Sequence, residues 1–562
     1  MTLKNSSLVC SRSGVGIVAL VMTISVGSIL VAREGREEAP PQVLTIDERI
    51  RASWSEFGLL PAKEEEDGLW CRRVYLDILG RIPTLKEQQD FWKDSRPDKR
   101  IKLVDRLLYD QEHTEEFAAR WANVWTNILI GRSGGNERRT LINRAGLEKY
   151  LRDHFARNLP YDQMVFELIT ATGATQPGVE GYNGAVNFLI GKVNEEGGVQ
   201  ATAAVSKTFL GLQVQCTQCH NHPFNQWKQQ KFWEFNAFFR QTRALRRFVP
   251  GTMDVAYAQL VDEDFAGQSR RTNEADIFFQ LRNGVTKVAY PIFVDGSEIG
   301  RSGYVAEVNR RRELGKLVVQ SEYMAKTMVN RTWAQFLGHA FTKPVDDLGP
   351  HNTPSHPELL EELAAAFKDS SYDVKQLMRW IVLSKPYQLS SRTTKENAVD
   401  DPALGEPPKF SHFYSRQLSP EELYQSLVYA TQADRRGSLE DQQRRRDQWL
   451  EQFVVAYGTD DAGEATLFNG SIPQSLMMFN GDLIREATSI QTGSWLEGLA
   501  SGSGKPADKV HVLFVAGLGR KARSEELGMA AQLLAVREGK QVEMLQDMWW
   551  AILNCNEFII NH

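Results

Sequence analysis

The stretch DGLWCRRVYLDILGRIP, residues 67–83, reads as a helix with a defined stop. Leu69, Val74, Leu76, Ile78 and Leu79 make a broad apolar face, and Gly80 and Pro83 end it. Arg73 and Asp77 stand four apart on one face, placed for an ion pair or for a link to a neighbouring helix. The same habit extends from about residue 45 to about 241. DKRIKLVDRLLYD (98–110) repeats the helical spacing, and EEFAARWANVWTNILIG (115–131) sets Phe117, Trp121, Val124 and Trp125 along one stripe. Such a stripe is read as core aromatics ahead of a cofactor box. Further helices are expected over 146–158, 161–171 and 199–213.

Between residues 243 and 304 the period shortens. ADIFFQLRNGVTKVAYPIF (275–293) holds Asn283-Gly284 between two β-prone runs, a hairpin signal, and MDVAYAQLVD (253–262) reads as another strand. Helices return from 305. SEYMAKTMVNRTWAQFLG (321–338) places Met324, Met328, Trp333 and Leu337 at helical spacing, with Asn330 and Arg331 reaching toward a polar interface. PSHPELLEELAAAF (354–367) suggests a capping box of Ser355 and Glu358 with Pro357 in the first turn. The basic run DQQRRRDQWLEQF (441–453) reads as a solvated helix face, and LASGSGKPAD (499–508) as a loop. No period of 20–50 residues marks a repeat array. The expected fold is therefore mostly α: two helical lobes, 45–242 and 305–562, with a small antiparallel β insertion, 243–304, between them. Residues 1–44 are a leader and linker.

That leader holds nineteen residues without charge, Gly14 to Ala32, preceded by Lys4 and Arg12. The run is long enough to span a bilayer, and the flanking charges place the body outside the cytoplasm. An uncleaved anchor in the cytoplasmic membrane is favoured over a cleaved signal peptide because the run exceeds the usual apolar region of a signal. The body belongs to the cell envelope in either case. A net charge of -5 over 562 residues, with no basic tract, gives no case for nucleic acid. Five cysteines in so long an exported chain make no disulfide framework.

Two of those cysteines lie in QCTQCHNHPFNQW (215–227). As C-x-x-C-H, Cys216 and Cys219 are spaced to bind the two vinyl groups of a haem c, with His220 as axial ligand. Counting His222, the four residues Cys216, Cys219, His220 and His222 are ligand types for zinc or another divalent metal, with Pro223 supplying a break in the chain. A redox disulfide and a purely structural clamp complete the alternatives. A distal haem ligand is not chosen by the sequence: Met253, Met324, Met328, Met477, Met478, His339, His351 and His356 are all available.

RRVYLDILGRIPT (72–84), LVDRLL (103–108), FLGLQVQCTQCHNHPFNQW (209–227) with its trailing FNAFF (235–239), MVNRTWAQFLG (328–338), KPVDDLGPHNTPSHPELL (343–360), YQLSSR (387–392) and the closing WWAILNCNEFIINH (549–562) resemble the planctomycete cytochrome-type domain family. The resemblance implies an N-terminal cytochrome-like domain of unknown function followed by a planctomycete-specific one. The family motif extends to His222, Pro223 and Trp227, more than haem attachment needs, which gives the metal and clamp readings weight. No second C-x-x-C-H is present.

Asp346, Asp347, His351 and His356 form a second cluster, read as a cation or acid–base site or, more simply, as loop and cap residues. The glycine-rich GATQPGVEGYNGAVNF (173–188) lacks nucleotide-loop spacing, and no G-x-S-x-G or H-E-x-x-H occurs. Two functions stay open. One is a c-type haem protein working with a redox partner protein. The other is a non-redox envelope protein whose cluster is a metal or disulfide clamp.

Overall fold

Asp67–Leu79 is a helix, and Gly80, with φ 75°, ends it in the left-handed conformation that glycine adopts without strain. The helix is not one-sided as its pattern suggests: every residue from Gly68 to Leu79 is buried, Arg72, Arg73 and Asp77 included. The reason is that two hydrophobic cores meet across it. Val74 and Ile78 belong to the first core, and Leu76 to the second. The structure is a computed structural model that describes residues 40–562 apart from 138–139, 195–196, 225–226, 436 and 458–471. The apolar run 14–32 lies outside the described residues, among which no helix is long and apolar enough to cross a membrane.

The chain is mostly helical with small antiparallel sheets. Helices appear where the spacing predicts them: Thr114–Ile130, Arg144–Ala156, Tyr161–Thr170, Val199–Leu210 and Glu322–Leu337. Phe117, Trp121 and Trp125 are core residues, each no more than 2% exposed. Strand Val255–Asp262 is central in a three-stranded sheet, pairing with Thr242–Phe248 on one side and Gly173–Ala174 on the other. Ile277–Gln280 and Thr286–Ala289 form the expected hairpin, with Gly284 at φ 83° in its turn. The first core runs from Val43 to Tyr414, so helices beyond the β segment complete it; the second takes Leu76 and Ile82 together with Leu418 to Phe558. The Ser355 capping box is a correction. Pro357 occupies the first helical turn of Pro357–Asp369, which makes His356 the N-cap, and the Ser355 hydroxyl meets the His356 ring instead.

One device occurs three times. Thr84 with Glu87 and Ser419 with Glu422 each start a helix with a full capping box, and at Arg523 the reciprocal half is made, the Glu526 carboxylate accepting from the Arg523 N–H. Three residues before each N-cap stands an arginine, Arg81, Arg416 or Arg520, bound through both Nη atoms to the carboxylate of that box at 2.8–3.0 Å. Each guanidinium then reaches a further acid on a distant segment: Glu116, Asp77 and Glu557 respectively. The capping carboxylate thus satisfies a helix-end N–H and locks a tertiary ion pair at once.

The first and third of these units cross closely. A Cβ on Gly68 would lie 2.1 Å from the Gly519 carbonyl oxygen, and the Gln88 amide donates to both carbonyls. Gly68→Ala is expected to destabilise by about 1–3 kcal/mol through overpacking, read as a lower urea midpoint. An unchanged midpoint would contradict so close an approach.

Candidate functional site

After Gly211 ends the Val199–Leu210 helix, the chain enters a short 3₁₀ turn, Gln215–Gln218. The middle residues of the C-x-x-C face inward. Thr217 is fully buried, its hydroxyl donating to the Val214 carbonyl, and the Gln218 carbonyl accepts from Gln229 Nε2 (3.0 Å) and Trp233 Nε1 (3.2 Å). Cys216 and Cys219 are thereby turned outward as exposed free thiols. Cys219 borders a cleft of about 400 Å³ also lined by Trp233 and Leu281 on its apolar side and by Gln229, Gln280 and Arg282 on its polar side. Gln229 ties the turn to the β hairpin through a second bond, to the Gln280 carbonyl at 3.0 Å.

The two histidines are held in opposite tautomers. His220 Nδ1 lies 2.7 Å from the Asn221 carbonyl, which only accepts, so Nδ1 carries the proton and Nε2 keeps its lone pair. His222 Nδ1 accepts from the Phe224 N–H at 3.2 Å, which puts the proton of the neutral ring on Nε2. His220 is therefore set to ligate through Nε2, and His222 to donate. The His222 backbone is fixed by its N–H bond to the Trp227 carbonyl, 2.8 Å.

The fold brings part of the second cluster to this turn. The rings of His222 and His351 lie 5.1 Å apart, and His351 Nε2 is 3.1 Å from Asp347 Oδ2. Gly349 permits that fold-back, since a Cβ there would meet the His351 ring at 2.8 Å. Burial, and then the neighbouring His351, lower the His222 pKa, against the pull of Asp347. Asp346 turns elsewhere, to Gln213 Nε2 (2.6 Å) and Lys207 Nζ (3.2 Å). His356 is removed from the site: it is buried against Phe341 and Phe410. Among the described residues no group of three or more His, Cys, Asp or Glu side chains is gathered so as to hold a metal ion. Of the methionines considered as distal ligands, Met324, Met328 and Met478 are core residues, and Met253 is 87% exposed between two strands.

Local spacing gave no sign of the His222–His351 contact, nor of the anchoring role of Gln229 and Trp233. Both arise between segments distant in sequence. Arg73 and Asp77 are likewise links rather than a mutual pair: Arg73 donates to the carbonyls of Tyr387 and Leu389, and Asp77 accepts from Arg416 and Tyr387.

Two stretches of the chain match family models. Residues 45–244 match PSCyt2, a protein of unknown function (DUF1549), and residues 310–465 match PSD1, also a protein of unknown function (DUF1553). The chain thus carries two successive domains of unknown function, with most of the β segment falling between the matched stretches. No curated protein and no solved structure matches the chain.

Proposed function

We propose that the Cys216–His220 turn attaches haem c and that the protein is an electron-transfer or haem-linked oxidation component of the cell envelope. The observation that carries this reading is the pairing of two outward thiols with an adjacent imidazole whose Nδ1 is bound to a carbonyl and whose Nε2 has no hydrogen-bond partner among the described residues. The donor set therefore fits the group: the Cys216 and Cys219 S–H bonds would add across the two vinyl groups, and His220 Nε2 would be the axial ligand. Haem bound there would supply a one-electron couple to a redox partner protein. The anchored turn resists rotation of the thiols, because Thr217, Gln229 and Trp233 hold its inner side. On this reading residues 14–32 hold the body to the outer face of the cytoplasmic membrane.

The test is a reduced pyridine haemochrome spectrum of the exported body made in a host with cytochrome c maturation. A covalent haem band is expected in the wild type and absent in Cys216→Ala/Cys219→Ala. A folded, colourless wild type would sink the haem reading. The second reading, a zinc or other divalent clamp of Cys216, Cys219, His220 and His222, shares the support of the exposed thiols, while the His222 tautomer argues against it. It predicts one equivalent of metal in that colourless protein, lost in the same double variant.

A further inference from the structure

A cation taken out of water must find acceptors, since an unpaired buried charge costs several kcal/mol. The core arginines obey this rule. Arg310 donates to four backbone carbonyls, those of Ala237, Ala275, Arg301 and Ser302, and Arg311 to Asp262 and to the carbonyls of Ile169 and Ala171. Arg331, on the Glu322–Leu337 helix, is instead half-buried, with its charge still in reach of solvent. Its side chain makes no hydrogen bond or ion pair among the described residues. Its side chain is only partly exposed, and burial lowers its pKa. Its guanidinium carbon lies 6.0 Å from the Trp125 ring centre. The next acid to influence it, Asp346, is already taken by Gln213 and Lys207. Its neighbour Asn330 is used up inside the fold, bonded to Thr342, Val345 and Phe341.

A second donor without an acceptor stands on the same indole. Tyr161 is 1% exposed, its ring is 5.5 Å from that of Trp125, and its buried hydroxyl has no hydrogen-bond partner among the described residues. Arg331 and Tyr161 also influence each other's titration, which places the two groups in one neighbourhood. A guanidinium presents a planar fork of N–H groups that matches two oxygens of one anion, and a phenol adds a third donor. We propose that Arg331 and the Tyr161 hydroxyl form a binding site, floored by Trp125, for a small oxyanion: a carboxylate or a phosphate. The site is built from the Thr114–Ile130, Tyr161–Thr170 and Glu322–Leu337 helices and does not depend on what the cysteine turn binds.

The test is the melting temperature of the whole exported body in sodium chloride, acetate and phosphate at equal pH and ionic strength. Acetate or phosphate is expected to raise it relative to chloride, and which of them does so identifies the class. Arg331→Met should abolish the rise while melting no lower than wild type in chloride, because it removes a cation that no protein group satisfies. Tyr161→Phe should keep the fold and weaken the apparent anion affinity tenfold or more, the worth of a bond to a charged acceptor. The proposal is overturned if neither anion raises the wild-type melting temperature, or if Arg331→Met keeps the rise, which would mean an adventitious ion only. It is equally overturned if Tyr161→Phe responds as the wild type does, or if Arg331→Met melts well below wild type in chloride, as a structural arginine would.

Discussion

Arg416→Met is expected to lower the unfolding free energy by about 3–5 kcal/mol at neutral pH, the usual cost of removing one partner from a buried ion network. Arg416 lies between two fully buried carboxylates. Its Nη2 donates to Asp77 Oδ1 at 2.6 Å, and the guanidinium binds both oxygens of Glu422 at 3.0 Å. Glu422 retains Arg120 and the Ser419 N–H when Arg416 is lost. Among the described residues Asp77 then keeps hydrogen bonds only from the Tyr387 hydroxyl (2.6 Å) and the Asn561 amide (2.9 Å), neither of them charged. Burial already pushes the Asp77 pKa up against the pull of Arg416, so removing the guanidinium raises it further. Protonating Asp77 then relieves the variant, and its deficit relative to wild type should shrink as the pH falls. Urea midpoints of both proteins at pH 8 and pH 5 measure this. A deficit that is small, or that does not narrow in acid, would show that the network is not what holds the Asp67–Leu79 helix to the Arg416–Gln417 strand.

Acidification from pH 7 to pH 4 should cost the wild type several kcal/mol. Burial holds His154, His356 and His562 at about 4, below the ordinary 6.5. These rings are neutral in the fold, whereas the unfolded chain takes up protons near pH 6.5. Their contribution is therefore fully present above pH 6.5 and is lost as the pH falls, the loss being complete near pH 4, where the folded rings protonate too. At 1.36 kcal/mol per pKa unit, each ring contributes up to about 3 kcal/mol. The carboxylates act lower still. Burial alone would raise Glu422, but Arg120 and Arg416 overcome it and hold it at about 2, so its contribution is present above pH 4.5 and disappears toward pH 2. A stability profile flat between pH 7 and pH 4 would refute the account. His356→Leu, at a ring whose Nε2 has no partner among the described residues, should remove a share of the slope.

Much of the fold was legible because it is written locally. The 3.6-residue spacing of Phe117, Trp121 and Trp125 marked a core helix, and Asn283-Gly284 marked a hairpin. The capping box at Ser355 was misread because a side-chain pattern spoke for one start while Pro357, which fits only the first turn, fixed another. The amphipathic reading of residues 67–83 also fell short. An apolar face announces one buried side, and nothing local says that a second core covers the other, over Arg72, Arg73 and Asp77.

At the candidate site the division runs the same way. The sequence by itself determined which atoms are available: two thiols three residues apart, an imidazole next to them, and a second imidazole two residues on. Only the tertiary structure decided their orientation. Gln229 and Trp233 hold the turn from behind so that the thiols face outward, the Asn221 carbonyl and the Phe224 N–H assign opposite tautomers to His220 and His222, and the Gly349 turn brings His351 against His222. Periodicity is a property of neighbouring residues and can be read along a chain. The partner of a buried charge or ring nitrogen is set by where low-dielectric packing leaves an unmet donor or acceptor, and that partner comes from whichever distant segment the fold delivers.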